Sequence, residues 1–347
     1  RRLHSQVRRG PIMSKAKPAL VRLGEMKTGQ SGDFFALLSE RTRGARKDGK
    51  PFYTCRFADP TRAAVAMIWL DGPWFAVCEA EWKEGGFYKI RATYSEHPTY
   101  GPQLEIINLR AVVPADEGDG FDPLLFVPHT PFDVEAMYSE LWMLAESTIG
   151  DVPLRRLVLT LLTKTSKQLK RVPASQKHFY PYAGGLLEHT LSVTHSCMHL
   201  ADKYVNHFPD LDPPINRDIV VASAIVHDLG RTLEFTDEGA KFDKTVSGQL
   251  IGHILLSRDL IRDTARELGD VDPQLVQLLE HVVLSHLDLP AWGSPRLPLV
   301  PEAIILHHAD DLDAKMEMFV RCLSRDKEPG PFTARDPLLG KSLYKDR

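Results

Sequence analysis

The chain has 347 residues, 43% hydrophobic and 26% charged, with a formal net charge of −3. That is room for two domains and an ordinary globular balance, and it excludes a whole-molecule field that would draw the chain to nucleic acid or membrane. Four scattered cysteines without a C-x-x-C exclude a disulfide framework or a zinc ribbon and suit a reducing cytosol, the expected location.

In chain order, the opening "RRLHSQVRRGPIM" lacks the apolar core of a secretory signal, and Met13 reads as a more natural start. Residues 1–50 hold 13 Lys and Arg against 4 Asp and Glu. Residues 1–32 are expected to form a basic, partly disordered segment able to meet phosphate backbones. Residues 33–113 read as about five short strands: "PFYTCRFAD", "AAVAMIWLD", "FYKIRATYSE" and "QLEIINLRAVV" are rich in β-branched and aromatic residues. "KDGK", "ADPT", "DGP", "EGG" and "PTYGP" break them, and a small OB-like β-barrel is the expected fold. Residues 114–133, with four prolines and an acidic cluster, read as a linker.

From residue 134 the period becomes helical. Asp133 is the expected N-cap of "DVEAMYSELWMLAEST", and Pro153 the expected first residue of "PLRRLVLTLLTKTSKQLKR". Helices are then expected in "LLEHTLSVTHSCMHLADKYV", "RDIVVASAIVHD", "SGQLIGHILLSRDLIRDTARELG", "PQLVQLLEHVVLSHL" and "PEAIILHHADDLDAKMEMFVRCL". Together they make an all-helical domain over 134–323, followed by a polar tail, 324–347, extended over the surface. No apolar run reaches the ~18–20 residues that span a bilayer, so no membrane partner is expected.

The helices carry polar residues where apolar ones belong: His189, His227 with Asp228, His253, His281, His286 and Asp310. A single histidine on an apolar face is more often a hydrogen-bonded core residue than a ligand. Burying several imidazoles and two carboxylates without a compensating charge is expensive, and a divalent cation would supply that charge. Imidazole with carboxylate suits Mn, Fe, Zn, Co or Ni, and the missing thiolates disfavour a structural zinc site. Neighbours on a helix point about 100° apart, so His227 and Asp228 cannot grip one ion alike. A carboxylate can bridge two ions, and a pair ~3.5–4 Å apart suits phosphoester hydrolysis.

The order H…HD…D, on His189, His227–Asp228 and Asp310, resembles the HD-domain phosphohydrolase superfamily. "GGLLEHTLSV", "GQLIGHI", "WGSPRLP" and "ADDLDAKM" behind an OB-like segment make the chain similar to the YhaM-type 3′→5′ exoribonucleases over residues 33–322. The resemblance implies a metal-dependent hydrolase with one or two divalent ions, Mn first, with Fe, Co, Ni, Zn and Mg as alternatives. It implies that His189, His227, Asp228 and Asp310 hold the first ion, and His253 and His286 the second with Asp228 bridging. His227 and Asp228 are then catalytic, and Arg231, where the family often has Lys, is an electrostatic stabiliser that stays charged. A surface salt bridge is the other reading of Arg231. Where the family reads "SHHG" this chain reads "SHLD", so Leu287 and Asp288 replace a histidine and a glycine, which bears on the second ion. His281, five residues before His286, shares no helix face with it and is expected behind the ligands.

The implied activity is shortening of single-stranded RNA, with DNA as an alternative, from the 3′ end to 5′-mononucleotides. The barrel would bind the strand: Trp74, Tyr94 and Tyr100 are candidates for base stacking, and Arg43, Lys47 and Lys50 for the backbone. Homo-oligomerisation is left open. Two rival readings stand beside this: a phosphodiesterase or phosphatase for a small or cyclic nucleotide, and a nucleic-acid-binding regulator with a silent HD domain.

Overall fold

The computed structural model describes residues 20–236 and 242–346, in two units that divide after Phe126. The most basic part of the expected N-terminal segment, residues 1–19, lies outside the described residues.

The first unit is a closed barrel of five strands: β1 (Ser31–Ala45), β2 (Pro51–Ala58), β3 (Ala63–Trp69), β4 (Phe87–His97) and β5 (Gly101–Ala111). The order is β1-β2-β3-β5-β4, with β4 returning to β1 and β3 meeting β5 in parallel at Val65–Gln103. This is the OB arrangement. β2 and β3 alternate buried and outward residues, as a half-buried sheet requires. β1 closes the ring because it bends. Its first half pairs with β4 and its second half with β2, with a register shift between Leu38 and Glu40.

Three features of this unit depart from the sequence reading. A helix, α1 (Phe75–Glu81), follows β3, and its Phe75 and Cys78 are buried; seven residues give too short a period to show. Residues 20–32 are not a loose basic arm: Leu23 and Met26 enter the barrel core, and Leu20 bridges to Asp33. The first half of the expected linker packs on the barrel. Phe121 sits 5.1 Å from Phe35 and 5.2 Å from Phe87, and Asp116 is buried against Arg110 and Lys89.

The second unit is helical: α2 (Val134–Thr148), α3 (Val152–Leu169), α4 (Gly185–His207), α5 (Arg217–Val226), α6 (Arg231–Glu234), α7 (Val246–Leu250), α8 (His253–Leu268), α9 (Pro273–Ser285) and α10 (Pro301–Arg325). Asp133, Asp151, Asn216, Thr245 and Asp272 cap their helices through side-chain oxygens. Because Asp151 is the cap, Pro153 is the second helical residue rather than the first. α4, α5 and α10 pack together around Val193, Ile225 and Leu306. The stretch read as one helix over 247–269 is two, because Gly252 sits at φ 81° and starts the chain afresh at His253. The tail is folded rather than extended. Phe332 pairs with Tyr344 and Asp336 with Lys341, burying Leu343.

Candidate metal centre

α5 is the greasiest helix of the unit, with eight of its ten residues buried. His227 is its C-cap and still helical, so its ring stays in the core; Asp228 follows in the turn. That turn lies hard against the start of α8. A Cβ on Gly230 would stand 2.0 Å from the His253 carbonyl oxygen and 2.5 Å from the Ser257 nitrogen. The Gly230 N–H donates to Ser257 Oγ at 2.7 Å. The close approach brings His253 Nε2 to 3.3 Å from Asp228 Oδ1. His286, the C-cap of α9, presents Nε2 4.0 Å from the same oxygen. From α4 and α10 come His189 and Asp310. Asp310 Oδ1 is 3.0 Å from His189 Nε2 and 3.9 Å from His227 Nε2. The six expected ligands thus converge from the ends or interiors of five helices, His227 and Asp228 together from the end of α5.

The rings are aimed by their other nitrogens. His227 Nδ1 donates to the Ala224 carbonyl (2.9 Å), His286 Nδ1 to the Val283 carbonyl (2.7 Å), and His189 Nδ1 bonds to Asp313 Oδ2 (2.8 Å). Each such bond turns Nε2 inward as the free ligand atom. Asp313 is itself held by Ser192 Oγ. Arg231 Nε binds Asp228 Oδ2 at 2.5 Å, and Glu234 lies between Arg231 (3.3 Å) and Lys244 (2.8 Å). Arg231 therefore makes a nearly buried ion pair, not a surface one, and it leaves Oδ1 of Asp228 open.

Burial lowers His227 to about 4, outweighing the pull of Asp228 and Asp310. Burial and then Arg231 hold His253 well below the usual histidine range. Both are neutral imidazoles near neutral pH, the form that binds metals. Burial works to raise Asp228, but Arg231 and the surrounding histidines hold it well below the carboxylate range. Burial works to raise Asp310 too, but His189 3.0 Å away and the neighbouring histidines lower it to about 2. Burial opposes charge on His189, yet Asp310 and Asp313 raise it to about 10.

The donor set fits a divalent cation. His189 Nε2, His227 Nε2, His253 Nε2 and Asp228 Oδ1 are buried without a hydrogen-bond partner. Unpaired polar atoms in a core are costly, and a divalent cation would satisfy these donors. His189, His227 and Asp228 form one group with ligand atoms within 4.8 Å of one another; Asp228, His253 and His286 form a second. Leu287, which offers no ligand atom, packs beside Gly293. Asp288 adopts φ 64°, in the left-handed region that favours glycine.

His281 is the exception among the expected residues. Its Nε2 accepts from the Leu299 N–H at 3.0 Å, so it pins a loop instead of backing the ligands. Sequence reading missed Asp313 and Glu234. Asp313 had a signal, since it lies three residues after Asp310 on the same helix face; Glu234 had none.

In the barrel unit the expected contact residues divide. Tyr100 is 73% exposed on the β4–β5 turn beside His97, and Lys47 and Lys50 are exposed on the β1–β2 turn. Arg43 is exposed but sits 3.6 Å from Glu79. Trp74 is half-buried, and its Nε1 donates to the Ile106 carbonyl at 3.1 Å; one edge lines a groove of about 560 Å³ with Met67, Trp69 and Glu105. Tyr94 is not available for stacking: it is 1% exposed in the core, with its hydroxyl on Glu96. Arg46, on the β1–β2 turn, covers the Trp69 ring at 3.9 Å. Among the described residues no helix is long and apolar enough to cross a membrane.

Residues 186–315 match the HD domain family. Among solved structures, the chain is similar to the second OB-fold domain of replication protein A from Methanococcus maripaludis (16% identity, 26% of this chain and 93% of that one, TM-score 0.21). It is also similar to the replication factor A related protein from Methanobacterium thermoautotrophicum (10%, 27% and 92%, TM-score 0.22). A third likeness is to asparaginyl-tRNA synthetase from Pyrococcus horikoshii (11%, 76% and 62%, TM-score 0.24). The OB reading of the barrel rests on its strand order.

Proposed function

We propose that the protein is a metal-dependent phosphodiesterase acting on single-stranded nucleic acid: a 3′→5′ exoribonuclease of the YhaM type that releases 5′-mononucleotides. The observation that carries this reading is the convergence of three bare imidazole nitrogens and one bare carboxylate oxygen in the core of the HD domain. His189, His227, Asp228 and Asp310 would hold one ion, and His253 and His286 a second that shares Asp228. Mn is the first choice by donor type, with Fe, Co, Ni, Zn and Mg as alternatives. Bound ions would polarise the phosphoryl oxygens and activate water for attack.

The chain's own residues set up that chemistry. Arg231 occupies Oδ2 of Asp228, so Oδ1 alone points inward. Asp313 and the carbonyls of Ala224 and Val283 hold the imidazoles in register. The fixed positive charge of Arg231 stands beside the cluster and favours a phosphate approaching it. On the barrel, the exposed Tyr100, Lys47 and Lys50 lie on the β4–β5 and β1–β2 turns, the loops that OB folds use for oligonucleotides.

The test is digestion of single-stranded RNA, labelled at its 5′ end, in Mn²⁺, run beside Asp228→Ala. Parallel arms carry single-stranded DNA, mononucleotides and cyclic nucleotides. Stepwise shortening from the 3′ end by the wild type alone is expected. Metal-loaded protein that leaves RNA intact while hydrolysing mononucleotides or cyclic nucleotides would overturn the reading in favour of a small-nucleotide enzyme. RNA binding without any hydrolysis or bound metal would point to a regulator.

A further inference from the structure

Among the exposed aromatic side chains of the helical unit, Trp292 lies beside the elements that carry the candidate metal ligands. Trp292 stands in the loop between α9 and α10 and is 57% exposed. The loop is not loose. Ser294 Oγ donates to the Leu284 carbonyl (3.1 Å), the Leu299 N–H donates to His281 (3.0 Å), and Gly293 turns at φ 103°. One face of the Trp292 ring lies over the His307 ring, nearly parallel at 16° with centroids 5.9 Å apart. His307 is 7% exposed, and its Nδ1 donates to the His286 carbonyl at 2.8 Å. It also lies one turn before Asp310 on α10. A rigid indole is thus anchored to the two elements that carry His286 and Asp310. Four residues along the same loop stands the exposed cation Arg296.

An exposed Trp is apolar area left in water, which folding alone does not favour. Anchored through His307 to the elements that carry His286 and Asp310, with an exposed cation four residues along its loop, it has the attributes of a platform for a planar ring attached to a phosphate. We infer that Trp292 is a nucleobase-stacking platform of the helical unit, with Arg296 meeting the adjoining backbone phosphate. This inference rests on the reading of the metal centre as a nucleic-acid hydrolase. It gives that centre a substrate contact of its own, separate from the barrel. Stacking on Trp292 ignores base identity, so the contact positions the strand without reading sequence.

The experiment compares full-length wild type, Trp292→Ala and Trp292→Phe, all metal-loaded, on two RNAs: one intact, and one with abasic residues at its last three 3′ positions. On intact RNA, Trp292→Ala should raise KM at least fivefold, the lower end for loss of one base–aromatic stack, with kcat little changed. Trp292→Phe should recover most of that loss. On abasic RNA the wild type and Trp292→Ala should be equal. Equal kinetics on intact RNA, or the same loss on both RNAs, would overturn the inference.

A second measurement does not depend on turnover. Quenching of tryptophan fluorescence by AMP, titrated into the metal-free wild type and into Trp292→Phe, should show a component present only in the wild type. Its absence overturns the platform even if RNA is cleaved, and its presence upholds nucleotide binding even if RNA is not. A wild-type dimer that Trp292→Ala converts to a monomer by light scattering would assign the ring to self-association and also overturn the inference.

Discussion

Asp116 in the barrel unit and Asp228 in the helical unit are each 2% exposed, yet their surroundings treat them in opposite ways. Asp116 is saturated: Arg110 grips both oxygens at 2.7 Å, the Val113 N–H donates at 2.9 Å, and Lys89 stands 3.4 Å away. Asp228 receives Arg231 on one oxygen and nothing on the other, although four histidines and a second carboxylate crowd around it. A buried carboxylate that serves the fold has its lone pairs filled from within the chain. One that serves a ligand is kept ionised and left short. The same contrast covers the aromatics: Tyr94 is consumed by the barrel core, while Tyr100 and Trp292 keep open faces.

The comparison can be broken at Asp228 first. Asp228→Asn should remove bound metal, measured by elemental analysis, and lower RNA turnover by about a thousandfold or more, the order seen when one essential catalytic group is lost. The Tm of its metal-free form should fall by no more than a few degrees. A fully metallated Asn variant would show that the open oxygen was not a ligand site.

Gly230→Ala attacks the packing that places His253. Its Cβ would overlap backbone at 2.0 Å, so the turn and α8 must separate. A loss of about 3 kcal/mol in urea unfolding, together with weaker metal binding, is expected. Unchanged stability would mean that the turn has slack.

Asp313→Ala should weaken metal affinity by about tenfold to a hundredfold, read by isothermal titration, because His189 loses the acceptor that orients it. An unaltered affinity would place Asp313 outside the centre's support.

The smallest effect is expected at Asp116. Asp116→Asn should cost about 2 kcal/mol at neutral pH, with half-exposed Arg110 screened by solvent. Chiefly through Arg110, and against burial, the folded carboxyl is held well below its ordinary range. A depressed value means the stabilisation is complete above the unfolded value of ~4 and fades as pH falls below it. The gap between wild type and Asp116→Asn should therefore narrow in urea unfolding at pH 3 relative to pH 7. A gap that stays constant would refute the ion-pair origin.

Much of the fold was legible because its signals are local. Runs rich in β-branched and aromatic residues between turn residues marked β2 to β5, and three-to-four spacing with Asp133 marked the first long helix. What escaped was short or conditional on contacts: α1, with seven residues, the break at Gly252, and the folding of Pro114–Phe126 onto the barrel. Among site residues, His189, His227, Asp228, His253, His286 and Asp310 stood out because ionisable side chains in apolar helices are anomalous in one dimension. His281 looked the same from sequence, yet it serves a loop.

The sequence by itself determined which chemistry is available: imidazoles and carboxylates, no thiolate cluster, placed in segments too apolar to remain in water. Only the tertiary structure decided which of them meet. Ligand geometry depends on helices remote in the chain, on a glycine that lets two backbones touch, and on Nδ1 bonds that turn each ring. Those are long-range packing distances, and residue spacing along a chain does not encode them.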